Sequence, residues 1–442
     1  MLQGAKLPMS TIAAIATPPG AGGIGIVRLS GPRAKALLAR MFLPLSPRFE
    51  NFRPWFLHRG RVLDRYGEAL DDVLAVFMPG PRTFTGEDMA EIHCHGGPLI
   101  VQAVLESILR LGARQAERGE FSRRAFVNGR MDLSQAEAVA ELIAAPSREA
   151  LRYSLNRLDG LLGRRVLALR EELEALRVQV CLAVDFPEEE VECLAPAAFG
   201  RAVTEVACSV RRLLAGQKRA RVMQQGAVVV LAGAVNAGKS SLLNALLGRN
   251  RALVTDIPGT TRDLIEENVK VGQILLRVTD TAGLRNTDDP VEQAGIDRAM
   301  AEASASSLIL AVFDGSKPIS DEDMLVLARS AGHRAIAVVN KVDLPQQLDE
   351  KLLKKHFLHI VPLSAKTGDG LDKLLNLIPR TVGLGDGAFD GALITNARQA
   401  AALARAAERC EAALYAAQSG MTPDAVVMDA EGAITALGEI TG

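Results

Sequence analysis

Apolar residues change their spacing repeatedly along this chain, and each change predicts a change of architecture. In residues 1–130 they come in short runs with strand spacing, at 11–16, 24–29 and 69–77, and with helical spacing at 100–111. That mixture predicts an α+β domain. From Ser134 the texture is helical: residues 134–182 are rich in Ala, Leu, Glu and Arg, and Asp185-Phe186-Pro187 ends the pattern. Another helix is predicted over 197–214. At Gly226 the spacing switches to a buried strand, 227–231, and strands and helices then alternate as far as Ile378, as in a parallel βαβ sheet. After a glycine-rich link, helical texture returns over 396–418. The simplest arrangement inserts the βαβ domain into a helical domain whose two halves flank it.

Composition changes this picture little. A length of 442 residues suggests two to four domains, and 51 basic against 52 acidic residues give a net charge of −1, so no global field draws the chain to nucleic acid or membrane. Five scattered cysteines (Cys94, Cys181, Cys193, Cys208, Cys410) form no disulfide framework and favour a reducing, cytoplasmic setting. The apolar stretch near the N-terminus is stopped at once by Pro18 and Pro19, unlike a signal peptide.

The chemistry gathers at strand ends. Gly233-Ala234-Val235-Asn236-Ala237-Gly238-Lys239-Ser240, between a strand and a helix, matches the phosphate loop GxxxxGK[ST]. Its backbone N–H groups and helix terminus suit phosphate, Lys239 supplies charge, and Ser240 offers a hard oxygen to Mg²⁺. Asp280-Thr281-Ala282-Gly283 follows the apolar run 274–278, where an acid can hold Mg²⁺ through water and Gly283 can sense the γ-phosphate. Asn340-Lys341-Val342-Asp343 follows 335–339. Its aspartate would be a buried acceptor for guanine N1–H and the N2 amino group, donors that adenine lacks. Ser364-Ala365-Lys366 fits a base-bracketing loop. Four motifs in the required order predict guanine-nucleotide binding and GTP hydrolysis.

Two departures from Ras-like GTPases carry information. Leu284 stands where those proteins place a water-orienting glutamine. Asn236, together with Thr255-Asp256-Ile257-Pro258-Gly259-Thr260-Thr261-Arg262-Asp263, resembles GTPases that bind K⁺ beside the phosphates, where the cation can act as an arginine finger does. A loop residue capping its own backbone is the plain alternative for Asn236.

Gly259-Thr260-Thr261-Arg262-Asp263 with Asp280-Thr281-Ala282-Gly283-Leu284-Arg285 resembles the MnmE (TrmE) tRNA-modification GTPases. The N-terminal ATPPGAGGIGIVRLSG at 16–31 is specific to that family, and further matches run from Thr85-Gly86-Glu87-Asp88 to the closing Glu439-Ile440-Thr441-Gly442. The resemblance implies an N-terminal α+β folate-binding-like domain at 1–130, an all-α helical domain in two parts (131–224 and 383–442), and an inserted Ras-like P-loop GTPase domain at 225–382 with a mostly parallel sheet. It implies modification of C5 of the tRNA wobble uridine with a flavin-containing partner, MnmG, in a heterotetramer. A 5-formyltetrahydrofolate-type cofactor would sit on Arg28, Glu91 and Arg130, the last usually lysine in relatives. It also implies a homodimer. The family's Cys-x-Gly-Lys tail would follow Gly442, and none of the five cysteines stands in its place.

The implied nucleotide-binding set is Asn236, Ala237, Gly238, Lys239, Ser240, Ser241, Thr255, Asp256, Ile257, Pro258, Gly259, Thr260, Thr261, Asp280, Thr281, Ala282, Gly283, Asn340, Lys341, Val342, Asp343, Ser364, Ala365 and Lys366. Ser240 and Thr261 would hold Mg²⁺; Asn236, Thr255, Ile257 and Thr260 would hold K⁺. Glu292 falls on the family glutamate that orients water, although a helix-start residue favoured by the dipole is as natural from spacing alone. His93, Cys94 and His95 invite a metal reading, but alternation on a strand splits them between two faces. The acid-free stretch 206–225, with Arg211, Arg212, Lys218, Arg219 and Arg221, is either a solvated helix face or a tRNA contact. Rival readings are a ribosome-assembly switch and a folate enzyme that GTP merely regulates.

Overall fold

The computed structural model describes residues 10–185, 196–250, 266–271, 274–280, 308–384 and 394–442. Contacts divide the chain into two compact units, residues 1–139 with 441–442, and residues 140–440.

The first unit is built on β1 (Ile12–Ile15), β2 (Gly22–Ser30), α1 (Ala34–Met41), β3 (Phe42–Pro44), β4 (His58–Leu63), β5 (Ala69–Met78), β6 (Met89–Gly96), α2 (Pro98–Arg110), β7 (Arg114–Gln115) and α3 (Glu120–Val127). The strands form one seven-stranded sheet in the order β3-β4-β5-β6-β2-β1-β7. Only β1 and β7 pair in parallel. Alternation decides what each face does. On β6, Ala90, Ile92 and Cys94 are buried, while Glu91, His93 and His95 point the other way. The buried face packs with Leu37, Leu38 and Met41 of α1 and Val101, Val104 and Ile108 of α2 in one core. The approach of α2 is close: a Cβ on Gly25 would stand 2.3 Å from Val101 Cγ2.

Charge is also buried here. Arg124 of α3 is fully buried; it reaches Glu120 Oε1 at 3.0 Å and Glu87 Oε2 at 2.9 Å, and Arg114 adds a second cation to Glu120. Burial works to raise the Glu120 carboxyl, but bonds from Arg114, the Glu117 amide and Arg124 outweigh it and pull the pKa down to about 2.

The second unit contains α5 (Arg148–Leu158), α6 (Leu161–Asp185), α7 (Pro196–Ala215) and α8 (Gln217–Gln225), preceded by α4 (Leu133–Ile143), which crosses the division. Next come β8 (Ala227–Gly233), α9 (Lys239–Asn250), β9 (Glu266–Val271), β10 (Ile274–Asp280), β11 (Leu308–Asp314), α10 (Asp321–Ser330), β12 (Ala335–Asn340), α11 (Glu350–His356), β13 (His359–Pro362) and α12 (Leu371–Thr381). Two helices close the chain, α13 (Ala397–Gln418) and α14 (Pro423–Thr441).

The helices pack through stripes spaced alternately four and three residues apart: Leu162, Val166, Leu169, Leu173 and Leu176 on α6, then Phe199, Val203, Val206, Val210 and Leu213 on α7. α13 and α14 fill the same core, so the bundle is made from both ends of the unit's sequence. A buried polar joint spans the same gap: Arg157 donates to Thr395 Oγ1 at 2.6 Å and Gln399 Oε1 at 3.2 Å, and pairs with Glu141. α14 goes beyond the helix that spacing predicts at 396–418. Its buried stripe is Val426, Ala430, Ala433, Leu437 and Ile440, in which alanine dilutes the apolar signal.

The sheet of this unit runs β13-β12-β11-β8-β10-β9. All pairs are parallel except β9 with β10. β11 is buried along six of its seven residues, as a strand covered on both faces must be.

Glu120→Gln should cost about 3 kcal/mol at neutral pH, because it leaves the buried Arg124 guanidinium with Glu87 as its remaining anion. A depressed carboxyl stabilises fully above its unfolded pKa, and that contribution fades as pH falls from 4.5 toward about 2. Denaturant unfolding of the wild type and the variant should therefore show a gap that closes across this window; a gap independent of pH would contradict the ion pair's role.

Candidate nucleotide site

Parallel strands deliver their carboxyl ends to one edge of the sheet, and that edge gathers the motif loops. β8 ends at Gly233, where the chain turns through the phosphate loop into α9. Helix α9 begins at Lys239, so Ser240 and Ser241 lie exposed in its first turn. The turn requires its glycine: Gly238 has φ +97°, and a Cβ there would stand 2.1 Å from Asn340 Nδ2. Asn236 has φ +62° without being glycine, and its side chain is exposed. Lys239 is buried, its ammonium donating to Gly233 O at 2.8 Å and Ala234 O at 2.9 Å.

Asn340, at the end of β12, is the hub. Its Nδ2 donates to Ala237 O at 3.0 Å; its Oδ1 accepts the Ala365 N–H at 3.0 Å and the Lys341 N–H at 2.8 Å. One amide thus binds the phosphate loop, the base loop and the Ser364-Ala365-Lys366 loop. Val342 N–H donates to Leu363 O at 3.3 Å, which adds a second tie between the last two. Lys341 is left-handed, φ +66°, and its Nζ donates to Asn236 O at 2.9 Å.

Asp343 corrects an expectation. The sequence suggests a buried acceptor, yet the residue is exposed. It sits in the turn beyond β12, past the strand end that the core covers, so burial there would have to come from the edge of a bound base. Its carboxyl is held below the usual range chiefly by a hydrogen bond from Ser364, with smaller help from Lys366 and Lys341, so it remains an acceptor. Asp280 closes β10 opposite Leu231 of β8, one strand from the phosphate loop. Thr255, Asp256, Ile257, Pro258, Gly259, Thr260, Thr261, Thr281, Ala282, Gly283 and Glu292 lie outside the described residues.

A second cluster lies on the open face of the N-terminal sheet. Arg28 of β2 stands opposite Glu91 of β6, with Nε 2.7 Å from Oε1. His93 Nε2 lies 3.1 Å from Glu91 Oε2, so it joins a pair that motif matching alone did not extend to it. Alternation on β6 was the available signal. Arg130 is tied elsewhere, donating to Thr83 O at 3.1 Å, and the neighbouring Asn128 donates to Thr85 O at 2.7 Å. His95 pairs with Asp71 rather than with His93 or Cys94. On the acid-free stretch, Arg211 pairs with Glu411 of α13, an exposed contact of little energetic weight, while Arg212 and Arg221 are exposed. No helix among the described residues is long and apolar enough to cross a membrane.

Comparison with known proteins identifies the family. Residues 11–130 match the family described as GTP-binding protein TrmE N-terminus, and residues 133–442 match the MnmE helical domain. The tRNA modification GTPase MnmE of Nitratidesulfovibrio vulgaris is 52% identical over 437 residues, covering 98% of this chain and 95% of that protein. The same-named protein of Lawsonia intracellularis is 49% identical over 370 residues, covering 83% and 81%. That of Roseiflexus sp. is 44% identical over 442 residues, covering 98% and 95%. The chain belongs to the MnmE family of tRNA modification GTPases, enzymes that hydrolyse GTP.

Proposed function

We propose that this chain is a K⁺-activated GTPase that modifies C5 of the tRNA wobble uridine together with a flavin-containing partner, MnmG, using a one-carbon unit from a tetrahydrofolate. The observation that carries this reading is the union, in one chain of this family, of a strand-end nucleotide site with an Arg28–Glu91 pair on an open sheet face. A ribosome-assembly switch would have no use for the second site.

The residues present suit a nucleoside triphosphate. Backbone N–H groups at the start of α9 would receive the phosphates, Lys239 would exchange its loop carbonyls for phosphate oxygens, and Asp343 would select guanine. Mg²⁺ would be held by Ser240 and Thr261, and K⁺ by Asn236, Thr255, Ile257 and Thr260; the exposed amide of left-handed Asn236 is compatible with this. These cations would supply charge neutralisation on the phosphates. Glu292 would orient the attacking water, since Leu284 cannot. Arg28 and Glu91 offer a cation and an anion fixed against each other, which suits the acidic and pterin ends of a folate, and Arg130 would have to leave Thr83 O to close that site. A cytoplasmic homodimer is part of the same reading.

Nucleoside analysis of tRNA from cells lacking the gene should show wobble uridine without its C5 substituent; intact modification would overturn the proposal. Asp343→Asn should weaken GTP binding by ~1–3 kcal/mol or more and improve binding of xanthine nucleotides, whose 2-oxo group suits an amide donor. Titration with both nucleotides reads this directly, and unchanged GTP affinity would remove Asp343 from base recognition. Glu292→Ala should leave GTP binding intact and lower kcat about 10²-fold. Wild-type hydrolysis should be faster in K⁺ than in Na⁺; equal rates would take the cation out of the mechanism.

A further inference from the structure

An acidic residue outside the four nucleotide motifs lies against the site. Asp314 closes β11 directly opposite Asn340 in the β11–β12 register. Its Oδ2 accepts from Lys341 Nζ at 2.6 Å, while its Oδ1 accepts the Ser316 N–H at 3.0 Å and the Ser316 hydroxyl at 2.6 Å. The same Lys341 ammonium donates to Asn236 O at 2.9 Å. One cation therefore ties the end of β11, the base loop and the phosphate loop together.

We infer that Asp314 is a positioning residue of the nucleotide site: it holds the Lys341 ammonium, and through it clamps the base loop onto the phosphate loop. The inference rests on the GTPase activity of the family, not on the K⁺ or folate readings.

Backbone conformation supports the clamp. Lys341 and Asn236 have φ +66° and +62°, and among the described residues Trp55 is the only other non-glycine with positive φ. An L-residue keeps that conformation where its surroundings over-determine it. Here the two residues are joined by the Lys341–Asn236 bond, and the far end of the lysine is fixed by Asp314. The carboxylate is itself rigid, since both oxygens are occupied. Its side chain is only 11% exposed, so this pair is screened less than a surface salt bridge. Burial works to raise the Asp314 carboxyl, but the hydrogen bonds from Lys341 and Ser316 outweigh it and lower the pKa, so the clamp stays charged.

Without the carboxylate, Lys341 keeps one loop partner and gains freedom, and the base loop can relax from its left-handed turn. Nucleotide should then leave faster. Guanine selection should survive, because Asp343 is held by Ser364 and not by Asp314.

The test is a double-mutant cycle on the full chain, with Asp314→Asn, Lys341→Met and the double variant, following release of a fluorescent GDP by stopped flow. Asp314→Asn should speed release roughly tenfold, as expected when a charge-assisted bond is lost, with an unchanged preference for guanine over xanthine nucleotides. In the Lys341→Met background, Asp314→Asn should add nothing, because both substitutions break the same bond. A merely structural aspartate would lower the thermal midpoint of the nucleotide-free protein and act additively with Lys341→Met. Additive effects, or wild-type release from Asp314→Asn, would overturn the inference. Should Asp314→Asn not fold, the cycle is run with Asp314→Glu, which keeps the charge but shifts it by one methylene. Any acceleration that persists in the Lys341→Met background, or none at all in the single variant, overturns it equally.

Discussion

The nucleotide site hangs on one buried amide. Asn340, 2% exposed, satisfies its Nδ2 on the phosphate loop and its Oδ1 on both the base loop and the loop after β13. These loops come from strands far apart in sequence, and each has its own backbone groups to satisfy. A single side chain with donor and acceptor ends meets all of them at once, and leaving either end unmet would cost about 1–3 kcal/mol. The constraint works in both directions. The space that lets Asn340 reach Ala237 is the space a Cβ on Gly238 would fill, so the glycine and the asparagine require each other.

That arrangement presupposes a stiff platform. β8, β11 and β12 are nearly continuous apolar runs, buried on both sides, so their carboxyl ends are held by the core rather than by the loops. The helical bundle needs no such edge. Its stripes at four-and-three spacing bury α6, α7, α13 and α14 against one another, and a buried charge cluster around Arg157 joins the two ends of the unit's sequence. The N-terminal sheet takes a third course, covering one face with α1 and α2 and leaving Glu91, His93 and Arg28 on the other.

Sequence legibility follows from these differences. Strands β8, β10 and β12 and helices α2, α7 and α13 are readable within a residue or two, because period and punctuation agree there. Short strands such as β3 and β7 have too few residues to show a period, and α14 hides its stripe among alanines. In the site, spacing named the motif residues but not their partners. Lys341 is part of a motif, whereas Asp314 reaches it across 27 positions, a contact that no local pattern announces. Exposure was the other failure: a motif says that Asp343 faces a base, and nothing in the chain says that the protein alone leaves it uncovered.

The carboxylates show how little residue type settles by itself. Glu120 is locked between two arginines in the core, with its pKa at about 2, and is spent on holding α3 in place. Asp343 is open to solvent, steadied by Ser364, and free on its outer edge to accept from a ligand. Asp314 lies between these cases, nearly buried yet bonded to a lysine that itself reaches the phosphate loop. What distinguishes them is the number of oxygen lone pairs left after the protein has taken its share. A carboxylate with both oxygens fully bonded within the protein can only position its neighbours, and one with an unclaimed edge can recognise a ligand. By that criterion Glu91, with one contact on each oxygen, from Arg28 and from His93, keeps acceptor capacity for a ligand while it stays fixed, and Asp343 keeps it on an edge open to solvent.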